Sequence, residues 1–249
     1  MRIRFLIQAR LQSERLPEKV LAPLGHSNVL FTLVDRLKKV CQPHCDIKLA
    51  IANESEPKLI EFAESNGINY FTGDSTNVLS RFIESSTDLA ETDYVFRFTA
   101  DNPFIDLQGV ESLLAHLKRK SPDFAYVSGY PLGMAFEAIR LNALRSQLFY
   151  KLLPHHTEHV TTFIKERPEL YTIEELQSGP LYEGIPVRLT IDEQSDLNLA
   201  QKIFQHFDKI GQPYFGASEV ILFYKNHPEV FLENAAVIQK SPQAYQVAS

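Results

Sequence analysis

Short, mostly apolar runs alternate along this chain with longer stretches whose apolar residues recur every three or four positions. Ile3 to Ala9 is almost wholly apolar, which predicts a strand buried on both faces. From Asn28 to Val40, the residues Val29, Leu33, Leu37 and Val40 fall on one helical face, with Leu30 and Val34 beside it. A strand is expected over Ile47–Ala52 and a helix over Glu56–Ser65, closed by Asn66-Gly67 as a C-cap. A short strand over Ile68–Thr72, a helix over Asn77–Leu89 and a strand over Tyr94–Thr99 follow. The helix expected over Asp106–Lys120 has an N-cap at Asp106 and a basic Lys118-Arg119-Lys120 end suited to its dipole. This rhythm predicts an α/β fold with a mostly parallel sheet flanked by helices on both faces.

The second half is less regular. Phe124–Ser128 and Val187–Ile191 read as strands; Thr157–Glu166, Asp196–Phe207 and Ser218–Lys225 read as helices. The tail from Asn226 reads as helical until Ser241-Pro242-Gln243 breaks the pattern. No repeat, low-complexity tract or linker is visible. Residues 1–249 therefore read as a single domain, with an elaborated segment 129–186 forming a small lobe or a dimer arm.

Composition narrows the class. The 249 residues are 44% hydrophobic and 22% charged, which is globular usage. A net charge of -6 removes a bulk electrostatic case for nucleic acid and leaves only local basic clusters. No apolar run is long enough to cross a membrane, and the first one meets Gln8, Arg10 and Gln12 too soon for a signal peptide. Cys41 and Cys45 flank Pro43 with no other cysteine to complete a zinc set, so two reduced thiols are expected. Reduced thiols and the missing leader point to the cytoplasm.

Open parallel sheets bind ligands at the carboxyl ends of their strands. After the first strand come Arg10, Ser13, Arg15 and Lys19 within one loop. Guanidinium forks and a lysine suit a polyphosphate; with Glu14 and Glu18 present, a solvated charged loop is the alternative. Asp101 follows the strand ending at Thr99, and Asp192 follows Ile191. Each is either a turn cap or a Mg²⁺ ligand, since magnesium takes one or two carboxylates with phosphate oxygens. Together with the basic loop they suggest metal-assisted chemistry on a nucleoside triphosphate. The dinucleotide fingerprint, the P-loop and the hydrolase nucleophile elbow are all absent from the sequence. His155 and His159 share a helical spacing, but the order is not His-Glu-x-x-His, and a polar helix start is favoured over zinc.

These residues also carry a resemblance. Gln8-Ala9-Arg10-x-x-Ser13-x-Arg15-Leu16-Pro17-x-Lys19-Val20-Leu21 resembles the opening of cytidylyltransferases that make CMP-activated sugars. The branch it is most similar to is the spore-coat polysaccharide type, related to acylneuraminate and deoxy-octulosonate cytidylyltransferases. Thr72-Gly73 with Asn77-Val78-Leu79-x-Arg81 follows in family order, then Arg97-x-Thr99-Ala100-Asp101-x-Pro103-Phe104-Ile105-Asp106. Glu158-His159-Val160-Thr161 and Arg188-x-Thr190-Ile191-Asp192-x-x-x-Asp196-Leu197 complete the series.

The resemblance implies a nucleotide-diphospho-sugar transferase-like fold and an enzyme moving CMP from CTP to a sugar-like acceptor. It implies Mg²⁺ as cofactor, pyrophosphate as leaving group, a role in surface polysaccharide or glycan synthesis, and a homodimer. By position, Arg10, Lys19 and Asp101 are the catalytic candidates. Arg10, Ser13, Arg15 and Lys19 would hold the triphosphate, with Ala9, Gly73 and Arg81 near the nucleoside. Asp101 and Asp192 would hold Mg²⁺, and Glu137, Glu158, His159 and Arg188 would face the sugar. The chain departs from the pattern at Gln12, Glu18 and Ala100, where the family usually has Gly, and at Ala135, where it often has an acid. Glu14 and Glu18 also place carboxylates inside the phosphate loop. Transfer from UTP or GTP, glycosyl transfer and a non-catalytic binding role are the competing readings. The absence of an Asp-x-Asp motif counts against glycosyl transfer.

Overall fold

A computed structural model describes residues 1–41, 43, 45–53 and 57–239. The expected helix start at Glu56 and the break at Ser241-Pro242-Gln243 lie outside the described residues. The chain forms strands β1 (Ile3–Ala9), β2 (Pro23–Leu24), β3 (Ser27–Asn28), β4 (Cys45–Ala52), β5 (Asn69–Gly73), β6 (Tyr94–Thr99), β7 (Phe124–Ser128), β8 (Glu137–Arg140) and β9 (Ile173–Gln177). The helices are α1 (Val29–Val40), α2 (Pro57–Ser65), α3 (Val78–Glu84), α4 (Leu107–Lys120), α5 (Leu141–Ser146), α6 (Pro154–Glu158), α7 (Thr162–Glu166), α8 (Gln194–Lys209) and α9 (Ala217–Asn226). Seven strands make the central sheet in the order β5-β4-β1-β6-β8-β7-β9. β1 lies parallel to β4 and β6, and β5 parallel to β4; β8 runs antiparallel between β6 and β7.

Side-chain alternation divides the core. Phe5 and Ile7 of β1 pack with Leu33 and Leu37 of α1 and Leu113 and Leu117 of α4. Leu6 points the other way, onto Leu79 and Phe82 of α3 and Leu144 of α5. A third cluster joins α8 and α9 around Ile203, Val220 and Ile221. Local capping sets the helix starts: Asn28 accepts from the Phe31 N–H at 2.8 Å and Asp106 from the Gln108 N–H at 3.2 Å. Among the described residues, no helix is long and apolar enough to cross a membrane.

Three expected elements differ. Val187–Ile191 is not a sheet strand: its only pairing is an isolated bridge between Leu132 and Arg188. Its Leu189 and Ile191 N–H groups donate to the carbonyls of Leu132 and Asp101, so loops rather than a ladder satisfy it. Gly133 permits this approach. Its φ is +95°, and a Cβ there would lie 2.2 Å from the Thr190 nitrogen. The helix expected over Thr157–Glu166 is divided into α6 and α7, with the Thr161 hydroxyl turned to Glu137 at 2.9 Å. The helix expected to reach Leu89 stops at Glu84. The Ser85 carbonyl instead accepts from Arg4 at 2.7 Å and Lys48 at 2.9 Å. Residues 129–186 contribute β8 and β9 to the central sheet itself.

Candidate functional site

At the carboxyl end of β1 the chain folds back on itself. The Glu18 N–H donates to the Leu11 carbonyl at 3.1 Å, and a short 3₁₀ turn over Lys19–Leu21 follows. This arch forms one wall of a cleft of about 1160 Å³. Arg10, Ser13, Arg15 and Lys19 line it, together with the end of β6 at Thr99–Asp101, Asp192 and Lys58 from α2. Glu18 sits in the left-handed region at φ 56°, a backbone conformation that favours glycine. Its side chain meets Lys58 Nζ at 2.5 Å, at the outer rim. Ala100 is buried in the turn after β6, where its N–H donates to the Gln8 carbonyl at 3.0 Å.

The side chain of Lys19, only 11% exposed, binds both acids at once. It donates to Asp101 Oδ2 and to Asp192 Oδ1, each at 2.6 Å. The two oxygens therefore lie no farther apart than twice that distance. Arg15 reaches Asp192 at 3.3 Å and donates to Glu193 at 2.9 Å. Burial works against the charge of Asp192, but Lys19, Arg15 and Arg188 outweigh it and hold the carboxyl below its usual range. Arg10 is exposed at the mouth.

Other expected site residues stand back from the cleft. Ala9 is buried in the core beneath it. Gly73 ends β5, packed against Phe71 and Arg81. Arg81 is buried and donates to the Asp74 carbonyl at 2.8 Å, supporting the turn after β5.

On β8, Glu137 pairs in register with Arg97 of β6. It lies 3.3 Å from the Arg97 guanidinium, accepts from Thr161 and binds Lys165 of α7. Burial pushes its carboxyl up, yet Arg97 and Lys165 overcome this and hold it low. Burial lowers His159, near the Arg97 charge, while Glu158 is exposed. Arg97 and the cleft-lining Thr99 share one face of β6.

Arg188, expected on the acceptor side, is bound up within the protein. All three of its nitrogens are engaged: Nε with Asp196 at 2.9 Å, Nη2 with Asp192 at 2.5 Å, and Nη1 with Gln239. Asp196 and Asn234, buried beside it, are structural partners that the sequence pattern did not single out. Asp196 stood only inside a motif, and Asn234 carried no signal.

His155, His156 and Glu166 bring possible ligand atoms within 4.8 Å of one another. However, His156 Nδ1 accepts from the Leu153 N–H at 3.0 Å, so its proton belongs on Nε2, which meets Glu166 at 2.8 Å. That assignment leaves Nε2 no lone pair for a metal.

Comparison with known proteins bears on this geometry. A family model described as cytidylyltransferase matches residues 4–234. The spore coat polysaccharide biosynthesis protein SpsF of Bacillus subtilis is 31% identical over 241 residues, covering 94% of this chain and 98% of that protein. A cytidylyltransferase structure from Leptospira borgpetersenii is similar with a TM-score of 0.81 at 24% identity, over 96% of this chain and 100% of that one. CMP:2-keto-3-deoxy-manno-octonic acid synthetase complexed with CTP is similar with a TM-score of 0.62 at 14% identity, over 83% of this chain and 99% of that one.

Proposed function

We propose that this chain, which belongs to the cytidylyltransferase family and is a nucleotidyltransferase, transfers CMP from CTP to a sugar-like acceptor and releases pyrophosphate. The reading extends to Mg²⁺ as cofactor, to surface polysaccharide or glycan synthesis and to action in the cytoplasm. The observation that carries it is Lys19 joining Asp101 and Asp192 in a cleft walled by a cationic loop. The relative named for spore coat polysaccharide synthesis supports the glycan side, and the CTP-bound synthetase of the same fold supports the nucleotide side.

In this reading Arg10, Ser13, Arg15 and Lys19 grip the triphosphate, the arginines as forks and the lysine as a point charge. Lys19 leaves the carboxylates for the phosphates as the nucleotide enters. Ala9, Gly73 and Arg81 form the walls behind the nucleoside. Asp101 and Asp192 fit a hard divalent cation: both are carboxylates, they approach closely, and they stand at the strand-end cleft. When bound there, Mg²⁺ supplies positive charge to the phosphate oxygens. The acceptor hydroxyl attacks the α-phosphorus in line, and the bond to the pyrophosphate oxygen breaks. Arg10 and Lys19 stabilise the charge that builds on the departing oxygens. Glu137, Glu158 and His159 face the acceptor on the side of β6 and β8.

The test is pyrophosphate release from CTP, screened against acidic sugars and phosphorylated polyols, with UTP and GTP in parallel. Release that needs CTP, Mg²⁺ and one acceptor class supports the reading. Equal turnover with UTP or GTP refutes its base selectivity.

A further inference from the structure

Asp192 does not stand alone at the end of its segment. Asp196, fully buried near the start of α8, accepts from the backbone N–H groups of Asp192 at 2.9 Å and Glu193 at 3.0 Å. Arg188 neutralises it through Nε at 2.9 Å and Nη2 at 3.3 Å, and the same Nη2 grips Asp192 Oδ2. One further residue closes the network from 38 positions along the chain. Asn234, 3% exposed, donates its amide to Asp196 Oδ1 at 2.7 Å and to the Arg188 carbonyl at 3.0 Å.

We infer that Asn234 is a positioning residue for Asp192. It acts through Arg188 and Asp196, so that the C-terminal segment sets how well the cleft holds a divalent cation. The inference rests on the reading of Asp101 and Asp192 as the cation's carboxylates. The physical reasoning is one of degrees of freedom. With Oδ2 held by Arg188 and its N–H held by Asp196, Asp192 is left with Oδ1 aimed at Lys19 and Asp101. An amide –NH₂ supplies the two donors that Asp196 and the Arg188 carbonyl need. An Asp in its place supplies none, and sets a carboxylate against two acceptors. The Asp196–Arg188 pair would then shift, and Asp192 with it. Gln239, also on Arg188, ties the same network to the outer surface. Arg188 is by this account an aiming device for a carboxylate, not a contact to the acceptor. Groups that orient a metal-binding side chain are commonly worth about 10-fold or more in metal affinity.

The experiment measures CTP binding calorimetrically, with Mn²⁺ and with EDTA, without acceptor. The parent protein is compared with Asn234→Asp, Asp192→Asn and Ile203→Val, the last a destabilising control in the same core as α8. In the parent, Mn²⁺ should tighten CTP binding. Asn234→Asp should lose about 10-fold of that gain while its affinity in EDTA is unchanged. Ile203→Val should keep the gain although its melting temperature falls. If Asn234→Asp folds and retains the full gain, the inference is overturned and Asn234 is merely structural. If Asn234→Asp does not fold, Gln239→Ala reads the same network from its exposed end. A smaller loss is expected there, and a full gain overturns the inference. A parent that gains nothing from Mn²⁺, or an Asp192→Asn variant that keeps the gain, overturns the metal reading itself and the positioning role with it.

Discussion

Lys19 does two things at one place, and its loss should separate them. Its ammonium is buried against two carboxylates, so removing it leaves those charges facing each other. A charge-assisted contact to phosphate is worth about 1.5–3 kcal/mol. Lys19→Ala should therefore weaken CTP binding roughly 10-fold to 100-fold, and CMP, which lacks the outer phosphates, far less. Calorimetry with both nucleotides checks this, and equal losses would remove Lys19 from the triphosphate. Glu18 raises a different question, since it holds a left-handed backbone at φ 56° that costs an L-residue about 1–2 kcal/mol. Its pair with Lys58 is half exposed and contributes little. Glu18→Gly should thus be more stable than Glu18→Ala by about 1 kcal/mol. Chemical denaturation of the two variants measures the difference, and an Ala variant at least as stable as the Gly variant would show that no strain is stored there.

At the scale of elements, the antiparallel β8 is joined to β6 by the Arg97–Glu137 pair, with Lys165 of α7 on the same carboxylate. Burial opposes the charge on Glu137, and the two cations prevail and hold its carboxyl low. An acid with a lowered folded value stabilises the fold above its unfolded value, near about 4.3. That contribution disappears as pH falls through the folded value. Glu137→Gln should cost about 1.5–3 kcal/mol at neutral pH, because the part-buried Arg97 loses its charged partner, while the exposed Lys165 contributes little. It should also flatten the decline of stability on the acid side. Melting curves between neutral pH and pH 3 test both, and an unaltered acid slope would show that Glu137 does not carry it. The first half of the fold was legible because its parallel strands are short, mostly apolar runs that alternate with helical periods, as Ile3–Ala9 and the helix capped by Asn28 illustrate. Val187–Ile191 misled because alternating apolar and polar residues look the same whether a segment bonds to a ladder or to two loops. The division of α6 from α7 turns on Thr161 reaching Glu137 across 24 positions, a contact no local period encodes.

Over the whole molecule, the cleft forms where three segments meet at the carboxyl ends of the central strands β1 and β6. The arch after β1, the turn after β6 and the segment entering α8 supply the three groups that meet at its centre: Lys19, Asp101 and Asp192. The two acids stood out in sequence because a charge at the end of an apolar run is conspicuous, and Lys19 because it shares one loop with Arg10 and Arg15. The role of Arg188 did not, since it depends on Asp196 and Gln239 closing around it. The joint between the sheet and the third core is Gly133, whose backbone lies against Leu189 and Thr190 just before Asp192. A Cβ at Gly133 would stand 2.2 Å from the Thr190 nitrogen and 2.5 Å from the Leu189 carbonyl carbon, so the backbone itself must shift. Gly184 provides the control, with φ +66° and nothing within 4 Å of an added Cβ. Gly184→Ala should cost only the conformational penalty, about 1–2 kcal/mol, and leave turnover intact. Gly133→Ala carries the same penalty plus the clash, and should lose more than that in stability. Because the displaced segment leads straight to Asp192, it should also lower kcat in the folded fraction. Denaturation and steady-state kinetics on the two variants decide the matter: equal stability losses, or full turnover in Gly133→Ala, would mean the segment is not held in place by this approach.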